Sequence, residues 1–96
     1  MEITVQYFAG CPNVELLRQR LSDVGFDLAA VRFEPIDSAE EAQQVGFRGS
    51  PTILVSGADP FADAAAPVGY ACRFYLTDAG MEGAPSADQL ATALRR

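Results

Sequence analysis

Apolar residues recur along this chain with two different spacings, and the changes of spacing mark its elements. From Met1 to Phe8 the run Ile-Thr-Val-Gln-Tyr-Phe is β-branched or aromatic on both faces, which predicts a strand covered on both sides. Gly10-Cys11-Pro12 interrupts it. From Asn13 onward Val14, Leu17, Leu21 and Val24 fall three and four residues apart, the single apolar stripe of an amphipathic helix. Glu15 near its start and Arg18 and Arg20 farther along suit the helix dipole, and Gly25 stops it. Alternation returns at Leu28 to Glu34, with Val31 and Phe33 on one face and Arg32 and Glu34 on the other, predicting a second strand.

Ser38-Ala-Glu-Glu41 has the form of a capping box and predicts a short helix to about Val45. A glycine-rich loop, Gly46 to Pro51, leads into a short buried strand at Thr52-Ile-Leu-Val55. The longest loop spans Ser56 to Gly69, where Asp59-Pro60-Phe61 and Pro67 prevent regular structure. Tyr70 to Thr77 predicts a fourth strand, followed by a turn at Asp78-Ala-Gly80. Ser86-Ala-Asp-Gln89 is a second capping box, opening a last helix that buries Ala87, Leu90, Ala91 and Leu94. The order βαβ, then α, then ββα predicts one α/β domain over residues 1–96. Its first and second strands should be parallel, in a mixed sheet of order 2-1-3-4 with helices on both faces.

Composition narrows the chemistry. The net charge of −6 argues against nucleic acid and against an anionic membrane surface. No apolar run approaches the ~20 residues of a membrane helix, and the opening Met-Glu-Ile-Thr-Val lacks the basic and apolar regions of a signal peptide. The expectation is a soluble cytoplasmic protein. Histidine is absent, which removes Cys–His and Ser–His pairs and imidazole zinc sites. Lysine is absent too, which removes Schiff-base chemistry and the phosphate loop ending in Gly-Lys-Ser/Thr. All seven cations are arginines, and with the abundant alanine this points to a GC-rich bacterial genome. No metal site and no cofactor are expected.

Gly10-Cys11-Pro12-Asn13 between the first strand and the first helix, and Ser50-Pro51-Thr52 entering the third strand, together resemble the thioredoxin superfamily. More narrowly the chain resembles small actinobacterial thioredoxin-fold proteins that share a Gly-Cys-Pro-Asn start, a Gly-Ser-Pro-Thr loop and an Asp-Pro-Phe-Ala stretch; some of these carry the name organomercurial lyase. The resemblance implies a thioredoxin-like fold with a reactive thiol at Cys11 and a cis proline at Pro51 facing it. It also exposes a departure: the family's second cysteine falls at Val14, and valine does not resolve a mixed disulfide.

The residues themselves support a thiol site at Cys11. A cysteine just before Pro12 stands at the N-cap or first position of a helix, where free amides and the positive dipole end favour a thiolate. The alternative is a small buried filler. Ser50 and Pro51 offer a strand-edge amide and carbonyl to an extended thiol ligand, with Pro12 beside them. Arg48 stands to steady a thiolate or clamp a substrate carboxylate, or is only a solvated loop arginine. Cys72, the other thiol, is expected as a small hydrophobe in the fourth strand, starting at the sheet edge remote from Cys11. Only a long loop folded back would bring it near. Asp59 and Asp63, four apart in the long loop, are read as solvated loop acids and not as a metal site.

Three functions remain open at this stage. The first is a monothiol redox protein using Cys11 for thiol–disulfide exchange with a thiol or disulfide substrate or a partner protein. The second is a non-catalytic thioredoxin-fold binding module whose groove beside Pro51 takes an extended segment. The third is soft-metal or organomercurial handling by Cys11 with Cys72.

Overall fold

Ile3 and Val5 set the centre of the fold. They lie on one side of the first strand, β1 (Ile3–Tyr7), and are buried with Leu17, Leu21, Val31, Ile53, Leu90 and Leu94 in the main apolar cluster. Thr4 and Gln6, on its other side, are buried as well, and the Gln6 amide is satisfied by donating to Glu34 Oε1 at 3.1 Å. The strand is therefore covered on both faces. The computed structural model describes residues 2–62 and 67–94, so Asp63 lies outside the described residues.

Asn13–Asp23 forms helix α1, with Leu17 and Leu21 fully buried and Gly25 beyond its end at φ +85°. A single 3₁₀ turn (Leu28–Ala30), capped by Asp27, leads into β2 (Val31–Pro35), which pairs parallel with β1, Ile3 opposite Val31. Ser38 accepts from the Glu41 amide to open α2 (Ala39–Val45). Strand β3 (Thr52–Val55) then runs antiparallel to β1, Val5 opposite Ile53. After β4 (Tyr75–Thr77) and β5 (Gly80–Glu82), the Ser86–Gln89 capping box is complete in both directions and starts α3 (Ala87–Ala93).

Helices α1 and α3 pack on each other over the main cluster, and Arg20 of α1 ties α1 to β5 and to the segment leading into α3. Its guanidinium donates to Ala84 O at 3.0 Å, Pro85 O at 3.2 Å and Glu82 Oε2 at 3.1 Å. Helix α2 belongs to a second, smaller cluster, in which Ala42 packs with Ile36, Phe47 and Phe8. No helix of the described residues is long and apolar enough to cross a membrane.

The sheet departs from the expected one. Among the described residues it has three strands in the order β2-β1-β3, and β4 pairs there only with β5, as a separate hairpin. The expected order 2-1-3-4 fails at its last member. The cause lies on either side of the long loop. On leaving β3 the chain turns back on itself, Val55 and Ala58 exchanging bonds of 2.7 and 3.0 Å, with Ser56 at φ +49°. On returning, residues 69–73 lie alongside the segment before β3 in place of β3 itself. Gly69 N donates to Phe47 O at 2.9 Å, Ser50 N to Ala71 O at 2.9 Å, and Arg73 N to Ser50 O at 3.0 Å. The expected strand from Tyr70 is thus regular only from Tyr75, and its first half is a parallel brace on the Phe47–Ser50 loop.

Candidate functional site

Cys11 closes a tight turn between β1 and α1. Its amide donates to Phe8 O at 3.3 Å, Gly10 takes φ +84°, and its own carbonyl accepts from Val14 N at 3.4 Å. Pro12 is the helix N-cap and is exposed, so Cys11 stands one residue before the cap and not at the N-cap or first helical position expected of it. Cys11 itself is only 8% exposed, so it is not the open loop-tip thiol that its position suggests. Its Sγ donates to Ser50 O at 3.8 Å. Ser50 also accepts the Phe8 amide on its Oγ at 3.3 Å, so one buried residue holds both ends of the cysteine turn. The Ser50–Pro51 peptide is cis, and Pro51 is buried beside it.

Cys72 is where the structure corrects the sequence most sharply. It is exposed, not buried, and it does not start at a remote edge. Its neighbours Ala71 and Arg73 make both backbone bonds of Ser50, so Cys72 is the bridge partner of the residue that touches Cys11. Ser50 O meets the Cys11 sulfur on one side and the Arg73 amide on the other. Cys11 Sγ therefore lies within about 7 Å of the nitrogen bonded to the Cys72 carbonyl carbon. Both cysteines are free thiols. The amide and carbonyl of Ser50, expected to hold an extended ligand, are already occupied by this chain's own residues 71–73.

What clamps that brace is Arg73, a residue the sequence did not mark. It is 5% exposed and forms a buried ion pair with Asp59, Nη1 to Oδ2 at 2.6 Å. Its guanidinium also donates to Thr52 Oγ1 at 3.3 Å and Phe61 O at 2.9 Å, and lies over the Tyr75 ring at 4.6 Å. Asp59 is thus a structural anion and not a solvated loop acid; Asp59-Pro60-Phe61 folds onto β4, with Phe61 edge-on to Tyr75 at 5.6 Å. The Tyr75 hydroxyl donates to Pro51 O. Burial pushes that hydroxyl well above the ordinary tyrosine range, the Arg73 charge opposing the shift. The only sequence signal for this cluster was an arginine set among the aromatics Phe74 and Tyr75, a place where a charge needs a partner.

A cavity of about 780 Å³ opens beside this brace, lined by Arg48, Phe61, Cys72, Phe74, Leu76 and Met81 among others. Cys11 is not among its lining residues. Arg48 is half-buried and stands on the Cys72 side of Ser50. Phe74, Leu76 and Met81 are more than half exposed, which makes this wall of the cavity apolar and open.

Comparison with protein-family models, with curated proteins and with solved structures found no match.

Proposed function

We propose that this chain is a thioredoxin-like thiol redox protein that exchanges disulfides through Cys11. The carrying observation is the convergence of both cysteines on Ser50, whose carbonyl oxygen lies 3.8 Å from Cys11 Sγ and whose backbone bonds hold the Cys72 segment. The sheet order β2-β1-β3 and the position of Cys11 between β1 and α1 support the family reading, as does Ser50–Pro51 at the entry to β3. The hairpin β4-β5 outside that sheet is this chain's departure from the family pattern. Without a cysteine at Val14 the exchange proceeds as mixed-disulfide formation on Cys11, unless Cys72 takes part.

Equilibration in glutathione buffers of graded reduced-to-oxidised ratio, followed by acid quench and mass mapping, tests the reading. Cys11 is expected to pass from free thiol to disulfide across the series. A Cys11 that stays free throughout rejects the redox reading and leaves a binding module, whose ligand site is then the cavity beside Cys72 and not the filled edge at Ser50. Soft-metal or organomercurial capture is a second reading, favoured by the approach of both cysteines to Ser50. Cd²⁺ titration watched for thiolate-to-metal absorption distinguishes it: two-sulfur capture saturates at one ion per chain, with a band that falls by about half when either cysteine is replaced by serine.

A further inference from the structure

We infer that Cys72 receives the incoming disulfide and that Cys11 is the buried thiol that resolves it. This rests on the redox reading above and reverses the order of attack that the sequence suggests. Access is the first ground: Cys72 is exposed and lines the large cavity, whereas Cys11 is buried and does not. A disulfide arriving from solvent meets Cys72 first.

Register is the second ground. Opposed residues in a β-bridge carry their side chains on the same side of the ladder. Cys72 opposes Ser50, and Ser50 turns its Oγ to the Phe8 amide at the start of the Cys11 turn. Tyr70, two residues before Cys72, follows the same side: its ring rests on Phe8 at 5.3 Å between centroids. The brace thus presents Cys72 toward the turn that contains Cys11. Fixing Ala71 and Arg73 on both sides of Cys72 leaves the thiol as the free group of a pinned tripeptide. The Arg73–Asp59 pair holds that position from behind.

The cavity points to the substrate class. Phe74, Leu76 and Met81 form an open apolar wall next to Cys72, with Arg48 on the rim, which suits a disulfide bearing an apolar or aromatic group. The Cys72 thiolate attacks one sulfur of R–S–S–R′, forming Cys72–S–S–R and expelling R′S⁻. The Cys11 thiolate then attacks the Cys72 sulfur, forming the Cys11–Cys72 bond and expelling RS⁻. The two thiol protons end on the two released thiolates. The substrate gains two electrons, the cysteine pair loses them, and a dithiol donor restores the reduced pair.

The test uses the aromatic disulfide 5,5′-dithiobis(2-nitrobenzoate) at one equivalent, with intact-mass and peptide mapping of quenched time points. Wild-type protein is expected to release both thionitrobenzoates per disulfide, to carry its first adduct on Cys72, and to finish with Cys11 and Cys72 joined and no adduct retained. Cys11→Ser should trap the adduct on Cys72, while Cys72→Ser should react about tenfold or more slowly, its remaining thiol being buried. Cys11→Ala with a circular-dichroism control covers the case in which serine disturbs the buried site, and the wild-type time course needs no variant. A first adduct on Cys11, with Cys72→Ser as fast as wild type, overturns the proposed order but leaves exchange through Cys11 standing. Adducts retained on the thiols with no Cys11–Cys72 bond overturn the pairing. Failure of both thiols to exchange rejects the redox reading itself.

Discussion

Gly49 sits at φ +107°, one residue before Ser50, and a Cβ placed there would stand 2.9 Å from Arg73 Cβ and 3.0 Å from Ala71 O. Both neighbours belong to the brace that carries Cys72, and one is backbone that has no rotamer to change. Gly49→Ala therefore combines an unfavourable backbone region with a clash, at a cost of about 1–3 kcal/mol. The expected result in urea denaturation is a lower midpoint, together with slower formation of any Cys11–Cys72 bond, because the methyl group pushes residues 71–73 away from Ser50. Neither the glycine nor its neighbour Ser50 announces this in the sequence. The glycine-rich loop was legible as a loop; which strand approaches it closely was not, because close approach is a property of two segments more than twenty residues apart.

At the scale of elements, helices were the most legible parts. Leu17 and Leu21 on α1, and the Ser86–Gln89 cap of α3, depend on spacing within a single turn or two, so local chemistry specifies them. The link between α1 and the hairpin was hidden. Arg20 was read as a dipole-favourable cation, but in the structure it reaches 62 residues ahead to Glu82. The hydrogen bond from Arg20, reinforced by Thr77, holds the Glu82 carboxyl below its ordinary value. A folded-state value below the unfolded one contributes stability above the unfolded pKa, near 4.3, and loses it as pH falls through the folded value. Stability is thus expected to decline in acid below about pH 4 in the wild type. Glu82→Gln should be less stable at neutral pH, with the gap to wild type closing as the pH is lowered. Thermal melts of both proteins across that range check the sign; a gap that is constant with pH would contradict it.

Over the whole molecule, the decisive contact is the buried ion pair between Asp59 and Arg73, which joins the start of the long loop to the brace at its end, just before β4. Removing one partner of such a pair leaves a buried charge without compensation and costs about 3–5 kcal/mol. Asp59→Asn is expected to lower stability by a large part of that range, since the amide keeps the shape but not the charge. Arg73→Met with Asp59→Leu should recover much of the loss if the cost is the stranded charge and not the loop geometry. Urea denaturation of the single and double variants separates the two. The same pair bears on the topology: it holds Arg73, two residues before β4, against the Asp59–Phe61 turn, while the backbone of residues 69–73 bonds to Phe47–Ser50 and not to the backbone of β3.

Sequence alone determined the elements that local spacing encodes: the two-sided first strand, the stripe of α1, the caps of α2 and α3, and the turn that places Cys11 before a helix. It also marked Ser50-Pro51 as the loop at the head of β3. Tertiary structure alone decided that the returning chain braces Ser50 and does not extend the sheet. It thereby exchanged the expected environments of the two thiols, burying Cys11 and exposing Cys72. The reason is physical: a strand's partner is chosen by backbone bonds and by the burial of a distant charge pair, Asp59 with Arg73. Neither leaves a periodic trace among the residues that it brings together.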